Sequence, residues 1–256
     1  MYDRVLRRLR RQPQLDYVFV VTYGRSGSTL VQGLLNALPG TLVRGENGFY
    51  LAHFFRATRT ATQFRKRFGK GTSDQVTNAF YGVGLSKRAS FLQAIRGLVT
   101  ESLLGDVDPS TVQRIGFKEI RWFHIEPDET GAFFNWLDDA FPGAKFVLNT
   151  RDIDSTRGSG FWQDKGPEEA LAAITRVREI QQFLRETRGE RCFETHYEAI
   201  TSGGPEADAE LRALATFVTG SCSDALLASL KKVLETGYGP NPFGKSRKAT
   251  TEEQPS

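Results

Sequence analysis

One stretch of this sequence, residues 17–30 (YVFVVTYGRSGSTL), constrains the fold more than any other. An apolar, β-branched run ends in a turn of small residues, and an apolar-periodic helical pattern follows the turn. This order predicts a buried strand, a tight loop and the N-terminus of a helix. In that geometry backbone N–H groups and the positive end of the helix dipole point to one spot, where a phosphate or sulfate can bind.

The predicted loop contains glycines, hydroxyl-bearing residues and one cation. Its candidate anion-binding residues are Gly24, Arg25, Ser26, Gly27, Ser28 and Thr29. The glycines allow a sharp turn and a close approach, and the hydroxyl groups can cap the helix or donate to an anion. No lysine follows Gly27, so the loop is not a Walker A motif, and a kinase or NTPase interpretation is weakened. An ordinary capped helix after a buried strand is the alternative.

Length and composition indicate a single globular domain over residues 1–256, because 39% of the residues are apolar and 25% are charged. No apolar run reaches the roughly 18 residues that span a bilayer, and no apolar region of a signal sequence follows the basic N-terminus. We therefore expect no transmembrane segment and a cytoplasmic protein. Cys192 and Cys222 are too few for a disulfide framework, and no cluster resembles a metal site.

The formal net charge of +4 is unevenly distributed. Residues 56–88 contain eight Lys or Arg against one acidic residue, a net +7, and residues 1–11 contain five Arg against one Asp, a net +4. No helix-turn-helix, zinc-finger or RNA-binding pattern accompanies these basic segments. We expect no nucleic-acid partner, and we interpret the segments as solvated surface or as an entrance for anionic ligands.

Apolar patterning predicts strands that alternate with helices. After the first strand, further strands are predicted at residues 112–119, 144–150 and 191–195, and helices at residues 29–38, 91–104, 129–141, 168–188, 206–218 and 224–234. Residues 42–51 are interpreted as turn-rich, and residues 60–87 as a polar excursion. The alternation predicts an α/β fold of three layers, with a central parallel sheet flanked by helices. The loop at Gly24 and the segments after Glu119 and Thr150 should then converge at one edge of the sheet.

A second motif follows the predicted strand at residues 144–150. Arg151 leaves the end of this strand, and Ser159 lies eight residues later. An arginine fork and a serine hydroxyl suit a second phosphate group. The alternative is a structural salt bridge for Arg151 and a plain helical position for Ser159, and Arg157 is interpreted as a surface charge.

Together these motifs resemble those of sulfotransferases that use 3′-phosphoadenosine 5′-phosphosulfate. Residues 22–30 (TYGRSGSTL) are similar to the P-loop-like 5′-phosphosulfate loop of that family. Arg151 and Ser159 match the spacing of the arginine and serine that hold the 3′-phosphate. Residues 194–200 (ETHYEAI) resemble a Tyr-Glu-Asp-Leu segment of the family. The resemblance covers about residues 17–50, 115–160 and 190–247.

The resemblance implies an enzyme that moves a sulfuryl group to the hydroxyl of an acceptor and releases adenosine 3′,5′-bisphosphate, without a metal. Arg25 would act electrostatically, since an arginine donates no proton at neutral pH. Lys118 would stabilise the sulfuryl group, unless it only pairs with Glu119 or another acid. Glu46 matches the general base of bacterial and tyrosylprotein-type members, or it accepts a hydrogen bond from substrate or loop. The rival bases are His53, His124 and His196.

Other parts of the site are less defined by the resemblance. Trp122 and Phe123 line the acceptor pocket or belong to the core. Lys245 and Ser246 would contact the 3′-phosphate, or they belong to a disordered basic tail over residues 246–256. Residues 56–90 are expected to form a lid-like insertion over an acceptor that is a glycan, a glycolipid headgroup or another anion. A P-loop small-molecule kinase and an inactive nucleotide-binding module are the alternative functions, and the oligomeric state is open.

Overall fold

The structure, a computed structural model, describes residues 15–157 and 166–236. At its centre lies a five-stranded sheet in the order β2-β3-β1-β4-β5, and all the neighbouring strands are parallel. The strands are β1 (Asp16–Val21), β2 (Thr41–Arg44), β3 (Arg114–Glu119), β4 (Lys145–Thr150) and β5 (Cys192–His196). The predicted α/β fold class, with a central parallel sheet flanked by helices, is confirmed.

The helices connect successive strands and follow the last one. They are α1 (Ser28–Asn36), α2 (Tyr50–Phe68), α3 (Arg88–Leu104), α4 (Thr130–Ala140), α5 (Ile153–Arg157), α6 (Pro167–Arg188), α7 (Tyr197–Thr201), α8 (Gly204–Thr219) and α9 (Asp224–Thr236). The predicted helices agree with α1, α3, α4, α6, α8 and α9 to within a few residues. The tail at residues 246–256 and the basic segment before residue 15 lie outside the described residues.

The central strand β1 shows why the sheet has a helical layer on each face. Its side chains alternate between two apolar clusters, since successive residues of a strand point to opposite faces. Phe19 and Val21 pack with residues of α2, α3, α4 and α6. Val18 and Val20 pack with residues of α1, α8 and α9 on the other face. The uninterrupted apolar run at the start of the sequence is therefore the signature of a strand that is buried on both sides.

The interpretation of residues 42–51 as turn-rich was wrong at its start, where the edge strand β2 pairs with β3. This strand has only four residues, so it shows no clear alternation in the sequence. The Asn36 side chain at the end of α1 holds it, because the Val43 N–H donates to Asn36 Oδ1 over 2.8 Å and Asn36 Nδ2 donates to the Val43 carbonyl over 2.9 Å. The pairing partner is supplied by the tertiary structure.

The polar excursion at residues 60–87 begins inside a helix, because α2 continues to Phe68 and ends at Gly69. Its buried residues, Leu51, Ala52, Phe55 and Thr58, all lie in the first half of the helix. The second half is rich in Arg, Lys and Gln, which have favourable helix propensities, so it needs no buried face to remain helical. Polarity alone therefore did not mark the end of this helix.

Within residues 15–157 and 166–236, no single helix is long and apolar enough to cross a membrane. Helices α8 and α9 meet the criteria of length and composition only as a pair, and they are bent by 115° at the break between them. Leu211 and Leu214 of α8 and Leu227 and Leu230 of α9 are buried in the apolar cluster on one face of the sheet.

Candidate functional site

The carboxyl ends of β1, β3 and β4 meet at a cavity of about 510 Å³. Parallel sheets place ligands at this edge, because the strand ends and the N-termini of the following helices open there. The residues that line the cavity are Gly24, Arg25, Gly27, Ser28, Thr29, Leu30, Glu46, Lys118, Ile120, Arg151, Tyr197, Thr201 and Leu234. The structure thus brings eight of the sequence-predicted site residues together in one place.

The loop between β1 and α1 is a tight turn with two left-handed residues. Arg25 and Gly27 have left-handed φ angles of 65° and 77°. A Cβ atom on Gly27 would lie 2.1 Å from Cδ2 of Tyr197, so this position excludes any larger residue. Among the described residues, no side chain caps the start of α1. The first N–H groups of the helix are therefore left to a ligand or to water.

Ser26 does not line the cavity, although the sequence placed it among the anion-binding residues. Its side chain is buried, and its hydroxyl lies 2.6 Å from Thr22 Oγ1 and accepts a hydrogen bond of 3.0 Å from Asn149 Nδ2. Asn149 Nδ2 also donates to the Ser26 carbonyl, and Gln181 of α6 donates to the Val21 carbonyl. The hydroxyl of Ser26 thus connects the loop to β4 through Asn149. It is not among the groups that line the cavity.

A tyrosine connects the loop to the end of β4. The hydroxyl of Tyr23, which is buried, donates to the Arg151 carbonyl over 2.8 Å and accepts from the Arg151 N–H over 2.9 Å. The Arg151 guanidinium group stacks 4.3 Å from the centre of the Tyr197 ring, and its Nη1 donates to the Arg25 carbonyl over 3.4 Å. Arg25 and Arg151 therefore belong to one rigid arrangement at the same cavity.

Glu46 and Lys118 form an ion pair at the cavity. Lys118 Nζ lies 2.6 Å from Glu46 Oε1, and Arg121 Nη1 lies 3.0 Å from Glu46 Oε2. The side chain of Lys118 is only 7% exposed, whereas that of Glu46 is 32% exposed and open to the cavity. The partner of Lys118 is thus the predicted base itself, rather than Glu119.

Glu119 holds the loop that contains Glu46. Its carboxylate is completely buried and accepts hydrogen bonds from the N–H groups of Asn47 and Phe49 at 3.1 and 2.9 Å. The N–H groups of Ile120 and Arg121 donate to its other oxygen. Phe49 has a left-handed φ of 56°, which is rare for an aromatic residue and persists only where surrounding contacts hold it.

We expect Glu119→Gln to lower the free energy of unfolding by about 1–3 kcal/mol, as measured by urea denaturation. An amide has one accepting oxygen, so at least one pair of buried N–H groups would face an NH₂ group instead of an acceptor. Glu101→Gln, on the exposed surface of α3, is the matched control and should leave the stability unchanged. An equal stability of the two variants would contradict the role of Glu119 in holding this loop.

Other residues that the sequence singled out lie elsewhere. Trp122 is completely buried, packs against Phe49, Phe117, Phe133 and Phe134, and donates from Nε1 to the Val20 carbonyl, so it belongs to the core and not to an acceptor pocket. Phe123 packs against the same cluster. His53, His124 and His196 are exposed and do not line the cavity, and His196 Nδ1 lies 2.6 Å from Thr150 Oγ1. Ser159, Lys245 and Ser246 lie outside the described residues.

Several residues of the cavity were missed by sequence reasoning. Tyr197, Thr201 and Leu234 follow β5 or lie in α9, far from the loop in sequence. Arg121, which was also missed, does not line the cavity but pairs with Glu46. The available signal was the position of Tyr197 directly after a strand end, where a parallel sheet presents its ligand-facing residues. In the part of the chain that the structure describes, no group of three or more His, Cys, Asp and Glu could hold a metal ion.

A comparison with protein-family models finds no match, and a comparison with curated proteins finds none either. Among solved structures, the chain is similar to sulfotransferase STF9 from Mycobacterium avium, with 16% sequence identity and a TM-score of 0.48. The likeness covers 92% of this chain and 71% of that chain. At this identity and TM-score, the likeness identifies neither an activity nor a substrate of this chain.

Proposed function

We propose that this chain is a sulfotransferase that moves a sulfuryl group from 3′-phosphoadenosine 5′-phosphosulfate to the hydroxyl of an acceptor. The proposal rests on one observation: the anion-binding loop, the cations Arg25, Arg151 and Lys118, and the carboxylate of Glu46 line a single cavity. Arg25 and Arg151 supply positive charge for the two ends of a nucleotide that carries a phosphate group at each end. The carboxylate of Glu46 supplies a basic oxygen in the same cavity.

The residues of the cavity fit such a donor in charge and in space. The absence of a Cβ at Gly27 lets the Tyr197 ring pack against the loop, and no side chain caps the start of α1, so the first N–H groups of this helix are available to an anion. Arg25 lies beside this turn and would neutralise the 5′ end of the donor. Arg151, whose fork suits a phosphate, would bind the 3′-phosphate from the end of β4.

When bound, the donor supplies the activated sulfuryl group, and the protein positions it and stabilises the charge that develops. Lys118 Nζ would place its charge on the sulfuryl oxygens and leave Oε1 of Glu46 for the acceptor. Glu46 would then accept the proton of the acceptor hydroxyl. Arg25 would stabilise the negative charge of the departing 5′-phosphate.

The acceptor belongs to the same proposal. We propose an acceptor that is a glycan, a glycolipid headgroup or another anion, because the basic segment at residues 56–90 would attract its negative charge. We propose this segment as the lid-like part of a single sulfotransferase domain. The first half of α2 packs on the core next to Phe49, and the basic half continues away from it.

Calorimetric titration separates this function from that of a kinase. We expect adenosine 3′,5′-bisphosphate to bind at least about tenfold more tightly than ATP without magnesium, because Arg151 contributes a charge-assisted contact to the 3′-phosphate. Tighter binding of ATP, only with magnesium, would indicate a P-loop kinase instead. Transfer of labelled sulfate to screened hydroxyl acceptors then separates an enzyme from an inactive nucleotide-binding module.

A further inference from the structure

Residues 59–88, here called the basic arm, stand apart from the core. The arm consists of the second half of α2, the turns that follow it and the first residue of α3. Of its residues with a described exposure, only Ser73 is buried, and the two large apolar clusters of the fold contain no arm residue. The arm therefore contributes almost nothing to the core that stabilises the sheet.

The arm is nevertheless folded around contacts of its own. The rings of Phe68 and Phe80 are stacked with centroids 4.1 Å apart, and Phe64 lies 4.7 Å from Phe68. Arg65 Nε donates to the Gly84 carbonyl over 3.0 Å and ties the turns back to α2. A small aromatic cluster thus holds a defined surface outside the core.

This surface exposes an unusual share of the apolar side chains. Six large apolar residues are notably exposed in the described chain, and four of them belong to the arm: Phe64, Val76, Tyr81 and Leu85. Val76 is 77% exposed and Leu85 is 81% exposed, more than any of the others. Both lie in turns between α2 and α3, where an apolar side chain has no role in packing.

The same surface is strongly cationic. The arm contains seven Lys or Arg residues against a single acid, Asp74, a net charge of +6. Arg59 and Arg88 pair with Glu129 and Asp139 at the junction with the body of the protein. Arg65, Lys66, Arg67, Lys70 and Lys87 are exposed further along the arm. The arm therefore presents exposed apolar side chains in its turns together with exposed Lys and Arg side chains.

We propose that the basic arm docks on an anionic lipid bilayer. Cations near such a surface are attracted by its negative potential, and isolated apolar side chains insert into the interface between headgroups and acyl chains. Charge complementarity alone fits any polyanion. Val76, Tyr81 and Leu85 favour a bilayer, because they are exposed at separate positions in the turns between α2 and α3, whereas a protein partner requires a shaped contact surface. The inference does not depend on the sulfuryl transfer proposed above.

Co-sedimentation of the full chain with vesicles tests this proposal. We expect binding to phosphatidylcholine vesicles that contain phosphatidylserine, at least about tenfold weaker binding to phosphatidylcholine alone, and a loss of binding at high salt. The double variants Val76→Ser/Leu85→Ser and Lys66→Glu/Lys70→Glu should each bind about tenfold or more weakly. All four positions are exposed, so circular dichroism should show an unchanged fold.

Control variants outside the arm and a competing polyanion show whether vesicle binding is specific to the arm and to a bilayer. Leu98→Ser/Leu171→Ser removes the two exposed leucines outside the arm among residues 15–157 and 166–236, and Lys232→Glu reverses an exposed charge on α9; neither should alter vesicle binding. Failure of the unaltered chain to bind the anionic vesicles would overturn the proposal. It would also be overturned if heparin bound equally tightly and the Val76/Leu85 variant bound normally, or if the arm variants only abolished self-association.

Discussion

Replacement of Glu46 by glutamine is expected to lower kcat for sulfuryl transfer by about 10²–10⁴-fold, the usual contribution of a positioned general base. The amide preserves the size of the side chain and one hydrogen-bond acceptor for Lys118 or Arg121, which lie 2.6 and 3.0 Å from the carboxylate. It removes the oxygen that would take the proton of the acceptor hydroxyl. The affinity for adenosine 3′,5′-bisphosphate should be unchanged or higher, because a negative charge beside Lys118 is lost.

The measurements are steady-state turnover of labelled donor and calorimetric titration of the product nucleotide. Glu101→Gln on the exposed surface of α3 is the control for the chemical change, and His196→Gln tests the nearest histidine to the strand ends. Both should keep normal turnover. If Glu46→Gln retained normal turnover, Glu46 would have no part in proton transfer. A loss confined to nucleotide affinity would make it a binding residue.

Replacement of Arg151 by alanine is expected to raise the Kd for adenosine 3′,5′-bisphosphate by roughly 10- to 150-fold, the equivalent of about 1.5–3 kcal/mol for hydrogen bonds to a charged group. The guanidinium group is held by the Tyr197 ring and by the Arg25 carbonyl, so its fork is oriented before the ligand arrives. Arg151→Lys should give an intermediate affinity, because it retains the charge and loses the fork.

Adenosine 5′-phosphate distinguishes a 3′-phosphate contact from a general loss of the site. The unaltered chain should prefer the bisphosphate, and Arg151→Ala should lose this preference while its weak affinity for the monophosphate is unchanged. Arg212→Ala, at an exposed ion pair with Asp224, is the control for the loss of a surface arginine. Equal losses for both nucleotides, together with a lower thermal stability, would show that Arg151 only supports the loop.

The loop and the strand ends were predictable because their signals are local. A buried strand, small residues in a turn and a periodic helix follow one another within residues 17–36, and each pattern depends on neighbours in the sequence. Local patterns of this kind are sufficient to assign Gly24, Arg25 and Arg151 to one edge of the sheet. The strand β2 was missed because its four residues form a strand only through their pairing with β3.

The partners of the candidate catalytic residues were not predictable, because those contacts join distant parts of the chain. Lys118 pairs with Glu46, which lies 72 positions away in the sequence, and Tyr23 forms hydrogen bonds with Arg151, which lies 128 positions away. For the same reason the sequence did not reveal that the Ser26 hydroxyl is buried beneath the loop, or which of the two places left open for Trp122, the core or a pocket, it occupies. A hydroxyl or an indole ring has the same local sequence signal in a core as in a site, and only burial distinguishes them.

By itself, the sequence determined the α/β architecture and the position of the tight turn between β1 and α1, since apolar periodicity and small turn residues act over a few positions. The tertiary structure alone decided that the carboxylate of Glu46 pairs with both Lys118 and Arg121. It also decided that buried Glu119 holds the loop that contains Glu46. The packing of the Tyr197 ring against Gly27 and Arg151 likewise depends on the tertiary structure. These contacts form only when strands distant in sequence are brought side by side, because packing and hydrogen bonding depend on distance in space.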